Sequence, residues 1–250
     1  MTKGRVLLAG ETWISYGIHQ KGFGAYTTGD YHEGSDEFIA AMRATGWSVE
    51  HIPNHLATER FPRCVEDLQA FDVVILSDIG ADTLLLHPDT FVAGKRTPNR
   101  FKAIGEWVHG GGGFLMVGGY MSFSGYEGKA GYNRTAVDRY LPVTMLGCDD
   151  RIETPEGVTP AVALADHPIT AGLPQEWPYF LGYNRVRPRA GGQVILSFED
   201  DPLLVVDAYG KGRVAAFTSD CSPHWGSPAF MSWSGYGPFW DHLLNWLTQQ

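Results

Sequence analysis

The sequence is short of cysteine, of positive charge and of long apolar runs. Its three cysteines, Cys64, Cys148 and Cys221, are odd in number and lack metal-ligand spacing, so neither a disulfide framework nor a zinc knuckle is expected. Lys and Arg number 19 against 28 Asp and Glu, which gives a net charge of -9, and no basic run occurs. Nucleic acids and anionic membranes require a basic footprint, which argues against both as partners.

The apolar run nearest the start of the sequence, residues 6–10, is too short for a signal peptide or a membrane span. We therefore expect a cytoplasmic protein. A length of 250 residues suits one α/β domain, and we predict a single domain over residues 1–250. A small molecule or another protein is the expected partner.

Short apolar runs alternate with helix-length segments, which is typical of a parallel sheet covered on both faces. The predicted parallel strands are residues 6–9, 49–52, 71–78 and 114–117. The predicted helices are residues 35–45, 99–109 and 238–247. Residues 203–206 and 214–217, joined by a turn at 209–212, are predicted to form an antiparallel hairpin at one side of the sheet.

Four stretches carry a family resemblance: residues 110–119, 166–173, 209–214 and 219–225. In this order they resemble the class I glutamine amidotransferase-like superfamily, in particular its glutamine amidotransferase-like and trehalose-utilisation-protein-like branches. The likeness spans most of the chain. It implies a flavodoxin-like, doubly wound and mostly parallel sheet, with the functional pocket at the carboxyl ends of the strands.

The resemblance breaks at the position of the nucleophile. Members with glutaminase activity carry a cysteine on a tight strand-to-helix turn, where backbone N–H groups stabilise the thiolate and the oxyanion. Tyr120 stands there in this sequence, and a phenol with an ordinary pKa of ~10 is a poor nucleophile at neutral pH. The family's glutamate two residues after the histidine is also missing, because Gly226 follows His224 at that distance. Conventional cysteine-dependent glutaminase activity is therefore not expected.

Residues 218–226 combine a carboxylate, a thiol and an imidazole directly after a predicted strand. His224 matches the superfamily's histidine and is a candidate general base or hydrogen-bond donor, with ring packing in the loop as the alternative. Asp220 either orients His224 or caps the turn. Cys221 is either a displaced nucleophile or, in the interpretation that we favour, a small buried apolar residue.

Residues 10–34 are predicted to form a long loop crowded with aromatic and histidine side chains. Glu11 follows the first strand, where its carboxylate can face the pocket, and His19 and Lys21 can supply charge for an anionic or hydroxylated ligand. Trp13 belongs to the same candidate ligand-binding group. The loop is either part of a ligand pocket or an oligomer contact, since aromatic residues also concentrate at interfaces.

Two candidates for ligand contact lie outside this loop. Ser122 adds a hydroxyl on the loop that follows Tyr120. Trp225 can stack on a sugar ring, although the aromatic residues from there to the C-terminal helix are expected to belong to the core.

Cofactor motifs are lacking. The glycine run 110–113 does not have the spacing of a phosphate loop and precedes a strand, and no His-Glu-x-x-His motif occurs. We therefore expect no cofactor and no metal. The minor alternative is a metal site formed by His19, His32 or His224 together with a carboxylate.

Two functions from different classes are compatible with these residues. One is an enzyme or enzyme-like protein that acts on a small polar metabolite, such as a sugar derivative or an amide, with His224 as acid or base. The other is a non-catalytic descendant that senses a ligand or serves as an oligomeric scaffold.

Overall fold

A computed structural model describes residues 2–250 of the chain. The strands are β1 (Arg5–Gly10), β2 (Thr12–Lys21), β3 (Gly24–Glu33), β4 (Ser48–Ile52), β5 (Val73–Ser77), β6 (Gly113–Val117), β7 (Val143–Met145), β8 (Arg151–Val158), β9 (Ala161–Val162), β10 (Phe180–Asn184), β11 (Val186–Pro188), β12 (Gln193–Phe198), β13 (Asp201–Tyr209) and β14 (Gly212–Phe217). The helices are α1 (Asp36–Ala44), α2 (Asn54–Arg60), α3 (Val65–Leu68), α4 (Ala81–Leu85), α5 (Pro88–Phe91), α6 (Arg100–Gly110), α7 (Pro228–Met231) and α8 (Tyr236–Thr248). In this part of the chain, no helix is long and apolar enough to cross a membrane.

The central sheet has the strand order β4-β1-β5-β6-β14-β13-β12-β9. From β4 to β14 all neighbours are parallel, whereas β13, β12 and β9 continue the sheet in antiparallel pairing. When the five parallel strands are numbered by their order in the chain, they lie across the sheet in the order 2-1-3-4-5, which is the flavodoxin-like order. This confirms the predicted mostly parallel, doubly wound sheet and the antiparallel hairpin formed by β13 and β14.

The central strands contribute side chains to two separate cores. Successive residues of a strand point to opposite faces of the sheet. Val6 and Leu8 therefore pack with α1 and α8, whereas Leu7 and Ala9 pack with α6 on the other side. Because both faces are covered, the parallel strands read as continuous apolar runs, which is why they could be recognised in the sequence.

Helix α8 closes the fold over one face of the sheet. It starts at Tyr236 and carries Pro238 in its first turn, where a missing backbone N–H costs no intrahelical hydrogen bond. Phe239 and Trp240 are fully buried, and the Trp240 ring meets Phe38 of α1 edge-on with 5.2 Å between ring centroids. The expected aromatic core near the C-terminal helix is confirmed.

The structure corrects the prediction of a long loop over residues 10–34. Strands β2 and β3 pair along their whole length as an antiparallel hairpin. Its two-residue turn begins with Gly22 at a φ of 61°, as a type II′ turn requires. The sequence obscured this hairpin because alternating large apolar residues mark β2 alone and not β3, and almost all side chains of both strands are exposed.

Gly10 lies at the end of β1, where the backbones of β1 and β5 approach each other closely. Its φ is 122°, and a Cβ atom there would lie 1.6 Å from the carbonyl oxygen of Ser77. We expect Gly10→Ala to lower the free energy of unfolding by at least about 3 kcal/mol. The matched control is Gly22→Ala, because Gly22 has a positive φ but no atom within 4 Å of the added carbon; a cost of about 1 kcal/mol is expected. Urea unfolding of both variants measures the difference, and equal costs would contradict the close approach.

Candidate functional site

A cavity of about 440 Å³ opens at the carboxyl ends of four parallel strands. Glu11 follows β1, Asp78 follows β5, Tyr120 and Met121 follow β6, and residues 220–224 follow β14. The order of the sheet reverses between β1 and β5, and ligands of open α/β sheets bind in the crevice at such a switch point. The cavity therefore lies where this fold offers a binding site.

Glu11 and Asp78 have unusual backbone conformations on the two sides of this switch point. Their φ angles are 56° and 44°, in the left-handed region that residues with a Cβ atom rarely adopt. Such conformations cost of order 1–3 kcal/mol each and cluster at functional sites. The backbone thus turns two carboxylates towards the cavity at the expense of local strain.

Glu11 is a buried carboxyl group at the wall of the cavity. Its side chain accepts hydrogen bonds from the hydroxyl groups of Ser77 and Ser222, and the Cys221 thiol lies 3.8 Å from its Oε1. Burial, followed by the nearby carboxyl groups of Asp220 and Asp78, raises the pKa of Glu11 well above its usual value. Burial therefore makes Glu11 easier to protonate than an exposed glutamate.

The contacts of the Ser222 hydroxyl also favour a proton on Glu11. Its Oγ lies 2.5 Å from Glu11 Oε2 and 2.9 Å from Asp220 Oδ1, but a serine hydroxyl has a single hydrogen to donate. If Ser222 donates to Asp220, a proton on Glu11 lets that carboxyl group donate to Ser222. Both short contacts then become hydrogen bonds, which links Glu11, Ser222 and Asp220 in one chain.

Asp78 is the second carboxyl group with an altered affinity for protons. Burial, with the neighbouring Asp220 as the next cause, raises its pKa to about 6. Its Oδ1 accepts the backbone N–H of Met121 at 2.6 Å, and its own N–H donates to Ser122 Oγ at 3.1 Å. The buried hydroxyl of Ser122 thus holds Asp78 in position and does not line the cavity.

Asp220 and His224 form the ionic part of the site. Asp220 Oδ2 lies 3.7 Å from His224 Nδ1, and the Asp220 side chain is almost fully buried. Interaction with Asp220 raises the pKa of the His224 imidazole, although burial opposes the shift. Asp220 Oδ1 also accepts the backbone N–H of Ser222 at 3.1 Å. Asp220 therefore contacts His224 and also caps the turn, the two roles that the sequence left open.

Cys221 lies beneath this group and is fully buried. Its Sγ is 3.7 Å from Ser77 Oγ and is not part of the cavity wall. Burial, together with the carboxyl groups of Glu11 and Asp220, raises the pKa of the thiol well above its usual value. The thiol form is strongly favoured, in line with a small buried apolar residue.

Tyr120 lines the cavity but lacks the surroundings of an activated nucleophile. Its hydroxyl donates to Glu153 Oε1 at 2.8 Å, and burial together with this interaction raises the pKa of the phenol. The Arg151 guanidinium lies 4.5 Å from the centre of its ring. Residues 119–125 form turns and bends, so no helix amino end faces this position.

Aromatic rings surround His224. The ring centroid of Tyr120 lies 4.7 Å from that of the imidazole in an edge-on contact. Trp225 stacks behind it at 5.4 Å and is buried, with its indole N–H donating to Glu153. Trp13, at the base of the hairpin, is half exposed at the rim of the cavity and stacks on His32.

His19 and Lys21 lie apart from the cavity, in the distal half of β2. His19 stacks on Tyr26 of β3 at a centroid distance of 4.7 Å, and Lys21 is the last residue before the turn. The hairpin carries them away from the strand ends, whereas a compact loop would have folded them back over the site.

Four residues of the site were not singled out from the sequence: Asp78, Met121, Ser222 and Pro223. A signal for Asp78 was present, because it follows the buried strand β5 just as Glu11 follows β1. The sequence pattern places Asp78 inside the predicted strand 71–78, whereas β5 ends one residue earlier, at Ser77.

The described residues contain one group with the spacing of metal ligands, namely Glu11, Asp220 and Cys221, whose potential ligand atoms lie within 4.8 Å of one another. None of the histidines belongs to it. These groups already hydrogen-bond to Ser77 and Ser222. A metal ion would have to displace those contacts and the thiol proton.

A family model described as "Putative glutamine amidotransferase" (GATase1_like) matches residues 5–249. The chain belongs to this family, which confirms the resemblance found in the sequence. Similar solved structures include two cytoplasmic proteins of Salmonella typhimurium, STM3548 and STM1381. Each is 42% identical to this chain with a TM-score of 0.93, and the alignments cover 97% of this chain and 98% and 99% of theirs.

More distant structures share the fold. A ThuA-like protein from Bacteroides uniformis is 13% identical with a TM-score of 0.57, over 98% of this chain and 91% of that protein. This likeness shows a shared fold. Among curated proteins, none matches this chain significantly.

Asp78 yields a prediction about stability and pH. Its pKa of about 6 in the folded protein exceeds the ordinary value of 3.8, so ionising it disfavours the folded state. This penalty is absent below pH ~4, grows up to pH ~6 and is complete above it. We expect Asp78→Asn, which keeps an acceptor for the Met121 N–H, to raise the free energy of unfolding at pH 7.5 by about 2 kcal/mol. At pH 4.5 most of the gain should vanish.

Urea unfolding at the two pH values measures this effect, and Asp30→Asn on the exposed hairpin is the control. The control variant should show no such pH-dependent gain. A loss of stability in Asp78→Asn at pH 7.5 would mean that attraction to His224 outweighs the burial of the Asp78 carboxylate.

Proposed function

We propose that this protein binds and transforms a small polar metabolite in the cavity beside His224, by proton transfer and not by cysteine-dependent hydrolysis of glutamine. The observation that supports this most is the convergence of Glu11, Asp78, Asp220 and His224 on one cavity at the switch point of the sheet. Clustered groups with shifted pKa values in a cleft are characteristic of active sites.

The lining of the cavity favours a class of ligand. Three carboxyl groups face it, and neither lysine nor arginine is among its lining residues. Hydroxyl and amino groups donate hydrogen bonds to carboxyl oxygens, whereas an anionic ligand would be repelled. The rings of Trp13 and Tyr120 offer flat surfaces that suit a sugar or a cationic group. A neutral or cationic metabolite rich in hydroxyl or amino groups therefore fits best.

His224 is the candidate for proton transfer to such a ligand. It is partly exposed at the cavity, and its interaction with Asp220 favours the protonated imidazole, which can act as a general acid and then as a base. Glu11, whose pKa is raised by burial, can exchange a proton with Asp220 through the Ser222 hydroxyl that contacts both.

Three observations speak against glutaminase chemistry. Tyr120 occupies the place of the nucleophile and is not followed by a helix. The Met121 N–H, the first backbone donor after Tyr120, already donates to Asp78. Cys221 is buried, and this burial raises the pKa of its thiol and disfavours the thiolate.

Both relatives from Salmonella typhimurium are described as cytoplasmic, and we propose the same location for this protein.

The central test is a ligand screen by thermal shift, followed by turnover assays on each hit. Amines, amino sugars, sugars, sugar acids, amides and glutamine are the compounds to compare, since a ligand of the folded state raises its unfolding midpoint. We expect neutral or cationic polyhydroxyl or amino compounds to bind and sugar acids to fail. His224→Ala should lower turnover about 100-fold or more, the usual contribution of general acid–base catalysis.

The matched control for this screen is His109→Ala, at the exposed end of α6 next to β6's amino end. It should behave as wild type. Full turnover in His224→Ala would contradict the proton-transfer role, and binding without turnover in the wild type would point to ligand sensing. Preferential binding of sugar acids would overturn the proposed ligand class.

Thiol labelling tests the absence of a cysteine nucleophile. Cys148 is exposed and Cys64 is partly exposed, whereas Cys221 is buried. We expect iodoacetamide at pH 7.5 to modify Cys148 first and Cys64 next, and to leave Cys221 unmodified until the protein is unfolded. Mass spectrometry of peptides locates the label. Rapid labelling of Cys221 in the native protein, or loss of turnover in Cys221→Ala with the fold intact, would contradict the proposal.

A further inference from the structure

The β2–β3 hairpin has one apolar face that the rest of the chain leaves exposed. Because side chains alternate across a strand, Ile14, Tyr16 and Ile18 share a face, and the register brings Tyr31 and Thr27 of β3 onto it. Tyr16 is 78% exposed and Ile18 is 79% exposed. We call this surface the arm face; its members are Ile14, Tyr16, Ile18, Ala25, Thr27 and Tyr31.

The opposite face of the hairpin has a different character. It carries Ser15 opposite Asp30 and His19 opposite Tyr26, with Lys21 near the turn. Charged side chains in the projecting part of the hairpin thus lie on this side, and the arm face has none. Such a division between apolar and polar faces is typical of a sheet that packs one side against another surface.

The chain holds this hairpin at its base. Thr12 Oγ1 accepts the backbone N–H of Asn54 at 2.9 Å, and Glu33 lies 3.3 Å from His51 Nδ1. Beyond Tyr31, which meets the ring of His55, the two strands project with both faces exposed. An isolated two-stranded hairpin is marginally stable in water, so a projecting arm of this length gains from a surface that covers it.

We infer that the arm face packs against a second copy of this chain, in a reciprocal arrangement in which each arm lies across the body of its partner. Tyrosine and other large apolar residues are enriched in the centres of such interfaces, where charged residues are depleted. An uncharged face can meet a two-fold related copy without bringing like charges together.

The size of the arm favours a second copy over an unrelated partner. Ten residues per strand make the hairpin about 34 Å long, and a width of about 10 Å gives the arm face on the order of 350 Å². A stable interface buries about 800 Å² per partner. A different protein that covered one arm would reach about half of that area. In a reciprocal pair each chain buries its own arm and the patch under its partner's arm, which doubles the area to about 700 Å².

Nucleic acid and anionic membrane are poor alternatives for this surface. Both need several basic side chains, and Lys21 is the sole lysine or arginine within β2 and β3. The test of self-association needs no cavity ligand, so its result does not depend on the proposed function.

Solution mass as a function of concentration tests the inference. Wild-type protein should sediment as a dimer or a larger closed assembly at micromolar concentration. Ile18→Lys places a charge in the middle of the arm face and should raise the dissociation constant about 100-fold or more, because every dimer carries the change twice. Ser15→Lys adds the same charge on the opposite face, across from Asp30, and should weaken assembly less than about tenfold.

Circular dichroism and the thermal midpoint establish that each variant is folded, and Tyr16→Lys provides a second substitution on the same face. Backbone amides of the arm should exchange with deuterium slowly in wild type and rapidly in Ile18→Lys. A wild type that stays monomeric up to high micromolar concentration would overturn the inference. A folded Ile18→Lys and Tyr16→Lys with unchanged mass would do the same, as would equal effects of Ile18→Lys and Ser15→Lys.

Discussion

The bridge that the Ser222 hydroxyl forms between the carboxyl groups of Glu11 and Asp220 is the interaction on which the site depends. Carboxyl groups that meet at the end of a parallel sheet are removed from water, where two adjacent negative charges are costly. A proton on Glu11 removes one charge, and the Ser222 hydroxyl then joins both side chains by hydrogen bonds. This link ties the end of β1 to the segment after β14. Asp220 also lies 3.7 Å from His224 Nδ1, and this contact raises the pKa of the imidazole.

The same groups explain how the pocket of this fold differs from that of a cysteine amidotransferase. A thiolate site collects N–H donors to stabilise negative charge. Here Asp78 accepts the Met121 N–H, and the side chain of Asn184 accepts that of Gly119. Two backbone donors after β6 are therefore occupied by the protein itself. The cavity instead presents carboxyl groups, which favour positive charge or neutral donors. The departure from the cysteine site thus extends over the strand ends and beyond the single residue Tyr120.

The sequence predicts those elements whose burial produces a run of apolar residues. Strands β1, β6 and β14 are covered on both faces and appear as apolar runs, and their carboxyl ends locate Glu11, Tyr120 and His224 near one another. The hairpin was harder to predict because alternating large apolar residues occur in β2 and not along β3. The bridge from Ser222 to Glu11 joins residues 211 positions apart, so it depends on strand order and could not be derived from local spacing.

The arm and the cavity are joined through the backbone where the hairpin begins. Glu11 lies in the cavity wall and its carbonyl accepts the N–H of Gly34, which follows the last strand of the arm. Trp13, one residue into β2, forms part of the cavity rim. A surface that immobilises the arm therefore also restricts two groups that line the cavity. If assembly changes the affinity of the cavity, thermodynamic reciprocity requires the ligand to change the affinity of assembly by the same factor. The hairpin's position at the cavity, and not its apolar face alone, makes such coupling physically available.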